Sequence, residues 1–268
     1  MKRKINIGII GFGNMGRAFG RALAKVGNYN VFAYDKVRIK TKGARGIRIF
    51  SDAPALVQKA EVVILAIKPQ DVESFLCDNK KYLLEEKPLF ISIAAGISIK
   101  TLEKYLNGVH IIRIMPNLAA VVNESISFLA KGRFANKSDL AKALRIFSHT
   151  GEAIVIAENY LDKVTAISGS GPAYVFYFML AMYESALKLG FKKEDARRMV
   201  IKTFEGSIKL AKEAGKELGT LIQEVTSKRG TTQAALGVFK ANKLNKIIAG
   251  GITAAYRRAG QISKKNML

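Results

Sequence analysis

Ile5-Asn6-Ile7-Gly8-Ile9-Ile10-Gly11-Phe12-Gly13-Asn14-Met15-Gly16 reads as a strand that runs into a glycine turn. Arg17 to Gly27 behind it read as a helix. The isoleucines are β-branched and nearly continuous, as a strand buried on both faces of a parallel sheet requires. Gly11, Gly13 and Gly16 form G-x-G-x-x-G. In this pattern the first glycine makes the tight turn, the second lets a pyrophosphate approach the backbone, and the third lets the helix pack on the strand. The helix start then turns free N–H groups and a positive dipole end toward the phosphates. A second strand, Asn30-Val31-Phe32-Ala33-Tyr34, ends at Asp35. That acid stands about twenty residues past the glycines, where a ribose-binding carboxylate belongs. Lys36 and Arg38 follow it. They would suit a ribose 2′-phosphate that Asp35 would repel, so NADH and NADPH both stay open.

The 268 residues suffice for one large or two modest domains, and 49% of them are hydrophobic, enough for a real core. One cysteine, Cys77, excludes an internal disulfide framework and fits a reducing cytosol. His110 and His149 form no cluster with metal-ligand spacing, so no metal is expected. The formal charge of +23 raises the question of nucleic acid. The basic residues are spread along the chain without a nucleic-acid signature, so a lysine-coated soluble protein is the better reading. Met1-Lys2-Arg3-Lys4 is basic, but the apolar run behind it is broken by glycines, so no signal peptide is expected. The uncharged run Val164 to Tyr183 is interrupted by Ser168-Gly169-Ser170-Gly171-Pro172. Its apolar helix, counted from Ala173, is expected to be too short for a membrane span.

Further strands are expected over Glu61 to Ile67, Pro88 to Gly96 and Val109 to Met115, with two short ones over Ser125 to Ala130 and Ala153 to Ala157. A helix starts at Ser51-Asp52-Ala53-Pro54, and another runs from Lys137 to His149. The alternation gives an α/β domain on a parallel sheet over residues 1–160. Strand ends line the ligand crevice of such a sheet. Ala66-Ile67-Lys68-Pro69, with proline fixing a non-helical backbone, and the small residues at Ala94 are therefore expected beside a cofactor. Residues 161–268 carry helical periodicity, with helices over Pro172 to Leu189, Lys193 to Ala214, Glu217 to Val225, Thr231 to Ala241 and Lys243 to Gln261. The first is apolar nearly all round and needs cover on every side, so a partner subunit is expected.

No hydrolytic triad, G-x-S-x-G elbow or HExxH is present, so the chemistry rests with the cofactor. Hydroxyl- and glycine-rich segments recur at Thr165 with Ser168 to Pro172, at Thr226-Ser227, and at Gly230-Thr231-Thr232. The last precedes a helix, where it forms either an anion nest or an ordinary cap. Together with Gly11 to Gly16, Ala66 to Pro69, Ser92 to Ile97 and Arg113-Ile114-Met115-Pro116-Asn117, these segments resemble the pyrroline-5-carboxylate reductase family over nearly the whole chain. The Ser168-Gly169-Ser170-Gly171-Pro172-Ala173-Tyr174 run is the most specific of them.

The resemblance implies an N-terminal Rossmann domain followed by an all-helical dimerisation domain, in a homodimer or a dimer-based oligomer. It implies NADPH or NADH as hydride donor and a small imine carboxylate, 1-pyrroline-5-carboxylate, as substrate. Gly11, Phe12, Gly13, Asn14, Met15, Gly16 and Asp35 would hold the dinucleotide, with Lys36 and Arg38 near the ribose. Ala66, Ile67, Lys68, Pro69, Ala94 and Asn117 would surround the nicotinamide end. Val225, Gly230, Thr231 and Thr232 would hold the substrate, and Thr165 would meet the ring nitrogen. The chain departs from the family pattern twice: Ser227-Lys228-Arg229-Gly230 replaces Ser-Pro-Gly-Gly, and Leu118-Ala119 follows Asn117 in place of Thr-Pro. A related cyclic imine acid, or a non-catalytic dinucleotide-binding relative, is the alternative. A dehydrogenase of the 3-hydroxyacid type is disfavoured, because the helix after Pro172 has no lysine before Lys188.

Overall fold

The computed structural model describes residues 3–37 and 44–265, with side chains through residue 263. The chain divides into two compact units, Met1–Pro172 with Ala254–Leu268, and Ala173–Thr253.

The first unit is built on β1 (Ile5–Ile10), α1 (Asn14–Val26), β2 (Tyr29–Tyr34), β3 (Ile47–Ile49), α2 (Ala53–Lys59) and β4 (Val62–Leu65). It continues through α3 (Pro69–Glu86), β5 (Leu89–Ser92), α4 (Ile99–Tyr105), β6 (Ile111–Met115), β7 (Ser125–Lys131), α5 (Lys137–Phe147) and β8 (Gly151–Val155). The strands form one sheet in the order β3-β2-β1-β4-β5-β6-β7-β8. The order reverses between β1 and β4, which opens the ligand crevice of a doubly wound sheet at their carboxyl ends. Successive residues of the central strands face opposite sides. Val62 and Ile64 join the core under α1 and α5, with Phe19, Leu23 and Phe147. Val63 and Leu65 join the core under α2, α3 and α4, with Leu56, Leu76 and Leu102. The fully buried Phe19 and Phe147 meet with ring centroids 4.7 Å apart. Burial of each such side chain contributes roughly 1.5–3 kcal/mol.

Several expectations change. The sheet is not wholly parallel: β7 pairs antiparallel with β6 and parallel with β8. The link from Met115 to Ser125 holds only one 3₁₀ helix, Leu118–Val122, too short for the crossover that a parallel return demands. The edge strand β3 was not foreseen. Pro69 does not hold a non-helical backbone: it opens α3, with extended Lys68 as its N-cap. A first helical turn accepts proline because that N–H has no intrahelical partner.

By contact the compact units part at Pro172/Ala173. Leu161 is fully buried against Ile99 and Ala130 of the first unit, and Ala259 and Ser263 are also buried. A 3₁₀ turn (Glu158–Tyr160), α6 (Leu161–Val164), one π turn (Thr165–Gly169) and α7 (Gly171–Lys188) follow one another without a break. Among the described residues this run, Glu158–Lys188, is long and apolar enough to cross a membrane by length and composition, longer than the segment counted from Ala173.

The second unit holds the rest of α7, with α8 (Lys193–Glu213), α9 (Leu218–Glu224), α10 (Thr231–Ala241) and the start of α11 (Leu244–Lys265). Ala196 and Val200 of α8 are buried, whereas no residue of α7 is. Phe176, Tyr177 and Leu180 are exposed. An apolar trough of about 660 Å³ is lined by Phe178, Met182, Leu189, Phe191, Met199 and Phe239 among others.

Candidate active site

The glycine turn is built as its spacing demands. Gly11 has φ +90°, and a Cβ on it would lie 2.6 Å from the Ala66 carbonyl oxygen. A Cβ on Gly16 would overlap the Gly11 carbonyl oxygen. Gly13 is exposed, and a Cβ on it would meet nothing within 4 Å. Gly11 and Gly16 are thus required by the fold, whereas Gly13 faces open space at the start of α1. That helix has no side-chain cap, so its first N–H groups are available to an anion.

Asp35 accepts hydrogen bonds from the Phe12 N–H at 2.5 Å and from the Val37 N–H at 3.0 Å. Its two oxygens are oriented by backbone and keep lone pairs for further donors. Phe12 itself is buried in the core, so it meets a ligand through backbone alone. Asn14 is exposed and Met15 half-buried at the start of α1. A cleft of about 300 Å³ opens over the turn, lined by Gly11, Gly13, Asp35, Lys36, Lys68 and Asp71 among others. Ala66 and Ile67 also line it. Arg38 lies outside the described residues. The open face of Gly13, the uncapped helix and the oriented carboxylate fit the pyrophosphate and ribose of a dinucleotide.

Pro69 is half-buried beyond the exposed Lys68. Ala94 is buried at the end of β5, and its N–H donates to Ser92 Oγ at 3.3 Å. At the end of β6, Asn117 is held on three sides. Its N–H donates to Ser125 Oγ (3.3 Å), its Oδ1 accepts from the Ala119 N–H (3.1 Å), and its Nδ2 donates to Ser168 Oγ (3.2 Å). Asn117 therefore pins the π turn that carries Thr165. The Thr165 hydroxyl donates to the Leu161 carbonyl at 2.8 Å, which leaves it free only to accept. π turns recur at functional sites because they re-aim side chains of a helix.

An ion cluster around the buried Arg113 supports this turn. Arg113, 6% exposed, pairs with Glu158 at 3.0 Å and with Asp162 at 3.3 Å. Glu158 also accepts from the Ile99 N–H, and Asp162 from the Ser263 hydroxyl. Neither this cluster nor Asp71 was singled out from sequence, and Ser168 was noted there only as part of its hydroxyl- and glycine-rich run, not as the partner of Asn117. Asp71 carried one signal, its place two residues past Pro69. An acid in a first helical turn reads more simply as a dipole partner.

Within the second unit, Val225 closes α9, and Gly230 is the N-cap of α10, without a side-chain cap. Gly230 has φ −82° and ψ 172°, an extended backbone open to any residue. A Cβ there would meet Ser227 Oγ, a side-chain tip that can rotate aside, and would lie 3.1 Å from the Ser227 carbonyl oxygen. The left-handed residue of the loop is Arg229, with φ +63°, where the resembling family has glycine. The Arg229 N–H donates to Gln233 Oε1, and Lys228 and Arg229 are both exposed. Thr231 is exposed and Thr232 half-buried in the first turn.

Residues 158–262 match the family described as pyrroline-5-carboxylate reductase dimerisation, and residues 6–96 match the family described as NADP oxidoreductase, coenzyme F420-dependent. The first match contains the whole Glu158–Lys188 run and the trough beneath α7. The pyrroline-5-carboxylate reductase of Methanosarcina acetivorans is 36% identical over 266 residues, 97% of this chain and 98% of that protein. The crystal structure of pyrroline carboxylate reductase from Plasmodium falciparum, solved with NADP bound, aligns with TM-score 0.89 at 27% identity over 97% of this chain and 98% of that one. The Coxiella burnetii pyrroline-5-carboxylate reductase aligns with TM-score 0.88 at 32% identity over 97% and 99%. Likeness of this extent spans the sheet, the glycine turn and the helical unit together, and on it the chain belongs to the pyrroline-5-carboxylate reductase family.

Proposed function

We propose that this protein reduces 1-pyrroline-5-carboxylate to L-proline, the last step of proline synthesis, as a cytoplasmic homodimer or dimer-based oligomer using NADH or NADPH. The observation that carries the reading is the near-full-length likeness to the Methanosarcina acetivorans enzyme, 36% over 266 residues. The oriented Asp35 and the open face of Gly13 support it from the geometry. The reduced nicotinamide, when bound, supplies a hydride to the imine carbon of a ring protonated at nitrogen.

This chain's residues bind and orient. Gly13 and the first turn of α1 hold the pyrophosphate, and Asp35 holds the ribose. Lys68, Pro69, Ala94 and Asn117 flank the nicotinamide end. The N–H groups of Thr231 and Thr232, with the dipole of α10, hold the substrate carboxylate beside Gly230 and Val225. Thr165 accepts a hydrogen bond from the ring nitrogen, because its own proton is committed to Leu161. It orients the ring and holds the proton on nitrogen rather than delivering one. Fixing two rings in contact supplies an entropic advantage of several kcal/mol, about 7–11 at best.

A turnover assay on 1-pyrroline-5-carboxylate with each cofactor tests the reading, and an inactive protein overturns it. The Thr232 hydroxyl donates to the same carboxylate as the N–H groups, so Thr232→Ala removes one charge-assisted hydrogen bond, about 1.5–3 kcal/mol, keeps the N–H nest, and is expected to raise KM roughly 10- to 150-fold. A second reading, a related cyclic imine acid as substrate, is favoured by one observation. Lys228 and Arg229 stand in the loop before the nest, and Arg229 keeps a backbone that glycine would adopt freely. Preference for an imine with a second acidic group would support it.

A further inference from the structure

We propose that Asp71 sets cofactor choice in this chain: it engages Lys36 across the cleft and turns the site against a ribose 2′-phosphate, in favour of NADH. This rests on reading the cleft over Gly11 and Gly13 as the seat of the dinucleotide.

Asp71 Oδ1 lies 3.8 Å from Lys36 Nζ, and both residues line that cleft with Asp35. Asp35 marks the ribose, and Lys36 is the next residue along the chain. Lys36 is thus the described cation best placed to meet a phosphate on the ribose 2′ oxygen. The described lining carries two carboxylates, Asp35 and Asp71, against two ammonium groups, Lys36 and Lys68. One ammonium is shared with Asp71. Among the described residues, a dianionic 2′-phosphate would enter a lining of zero formal charge and compete with Asp71 for Lys36. A 2′-hydroxyl meets no such penalty and has Asp35 as acceptor. Asp71 holds its place through α3, whose first turn it occupies, with its N–H bonded to the Lys68 carbonyl at 2.9 Å. The pair is exposed and weak as a source of stability, so its removal should leave the fold intact. Its effect falls on a ligand that places charge beside it.

The test is direct binding of NADH and NADPH to wild type, Asp71→Asn, Lys36→Gln and the double variant, by fluorescence of the reduced nicotinamide at low salt. Asp71→Asn is expected to tighten NADPH three- to tenfold and to leave NADH within twofold. In the Lys36→Gln background the gain should shrink to less than half, since the freed cation is then gone. Added salt should erode the gain. Equal changes for both cofactors, an unchanged NADPH affinity, or a gain that persists undiminished without Lys36 would each overturn the assignment while leaving the cleft a dinucleotide site. Failure of wild type to bind either cofactor would overturn the cleft reading and the assignment with it.

Discussion

Replacing Gly13 and Gly16 separately with alanine should divide ligand binding from folding. Gly13 has φ −71° and ψ −159°, which alanine adopts without strain, and a Cβ there touches nothing within 4 Å. Alanine gains about 0.4–1 kcal/mol by restricting the unfolded chain. It loses a similar amount, roughly 0.5–1 kcal/mol, as a poorer N-cap than glycine. The two nearly cancel, so the melting temperature should stay within about 4 °C of wild type. The methyl group nevertheless fills the space through which a pyrophosphate reaches the helix N-terminus. Loss of a hydrogen bond to a charged group costs about 1.5–3 kcal/mol, a roughly 10- to 150-fold rise in the Kd of NADH or NADPH.

Gly16→Ala should behave differently. Its Cβ overlaps the Gly11 carbonyl oxygen and comes within 3.3 Å of Ile9 Cγ2. A backbone oxygen cannot rotate aside, so α1 must lift from β1. Overpacking of that kind costs about 1–3 kcal/mol, and both stability and affinity fall. Nicotinamide fluorescence and thermal unfolding on the same samples read the two effects. Wild-type binding by Gly13→Ala would show that no phosphate passes over that turn, and the site would have to be rebuilt elsewhere.

Arg113→Met leaves Glu158 and Asp162 facing each other without their cation; both are partly wet, so the cost should be about 2–4 kcal/mol, less than for a dry pair. Ser263→Ala should cost about 1 kcal/mol, and a urea midpoint equal to wild type for Arg113→Met would refute a supporting role. Burial, and then the Arg145 charge, hold His149 below the usual imidazole range, while its Nε2 lies 3.2 Å from the Tyr29 hydroxyl. A depressed folded pKa contributes stability that is full above the unfolded imidazole pKa of about 6.5 and is lost as pH falls through the folded value. Wild type should therefore lose more melting temperature than His149→Gln between pH 7.5 and 5, and parallel curves would count against the assignment. Phe178→Glu sets a charge in the apolar trough of the second unit and should yield monomer or aggregate by light scattering, whereas an intact dimer would place the interface elsewhere.

Where residue type alone decides, the fold was legible in the sequence. Val62 to Leu65 can only be a strand buried on both faces, and both cores take its side chains alternately. Gly11 and Gly16 were readable because only glycine fits them. What escaped depends on distance in space. Ile47-Arg48-Ile49 is too short and too polar to announce a strand, and it forms one because β2 offers a free edge. The direction of β7 follows from the length of the link before it. Pro69 breaks a helix anywhere but in its first turn, and its sequence alone does not say that a helix begins there. Of the site, the contiguous motifs were visible, whereas Asp71, Ser168 and the Arg113 cluster act through partners far along the chain. The Arg113–Asp162–Ser263 contacts span 150 residues from end to end, as 263 minus 113 shows, and no local pattern reports them.

Helix α7 carries this reasoning one step further. Its sequence demands cover on all sides, and within one chain no residue of it is buried. Pattern and structure agree once the missing half of the core is supplied in trans. Each large apolar side chain fully covered contributes roughly 1.5–3 kcal/mol, and Phe176, Tyr177, Phe178, Leu180 and Met182 are still about half exposed, so completing their cover is worth roughly 4–8 kcal/mol, comparable with the stability of a whole domain. A surface holding that much unrealised burial belongs in the core of a dimer. It also explains why so few residues of the second unit are buried in a single chain: its helices are ordered around a core that two copies complete.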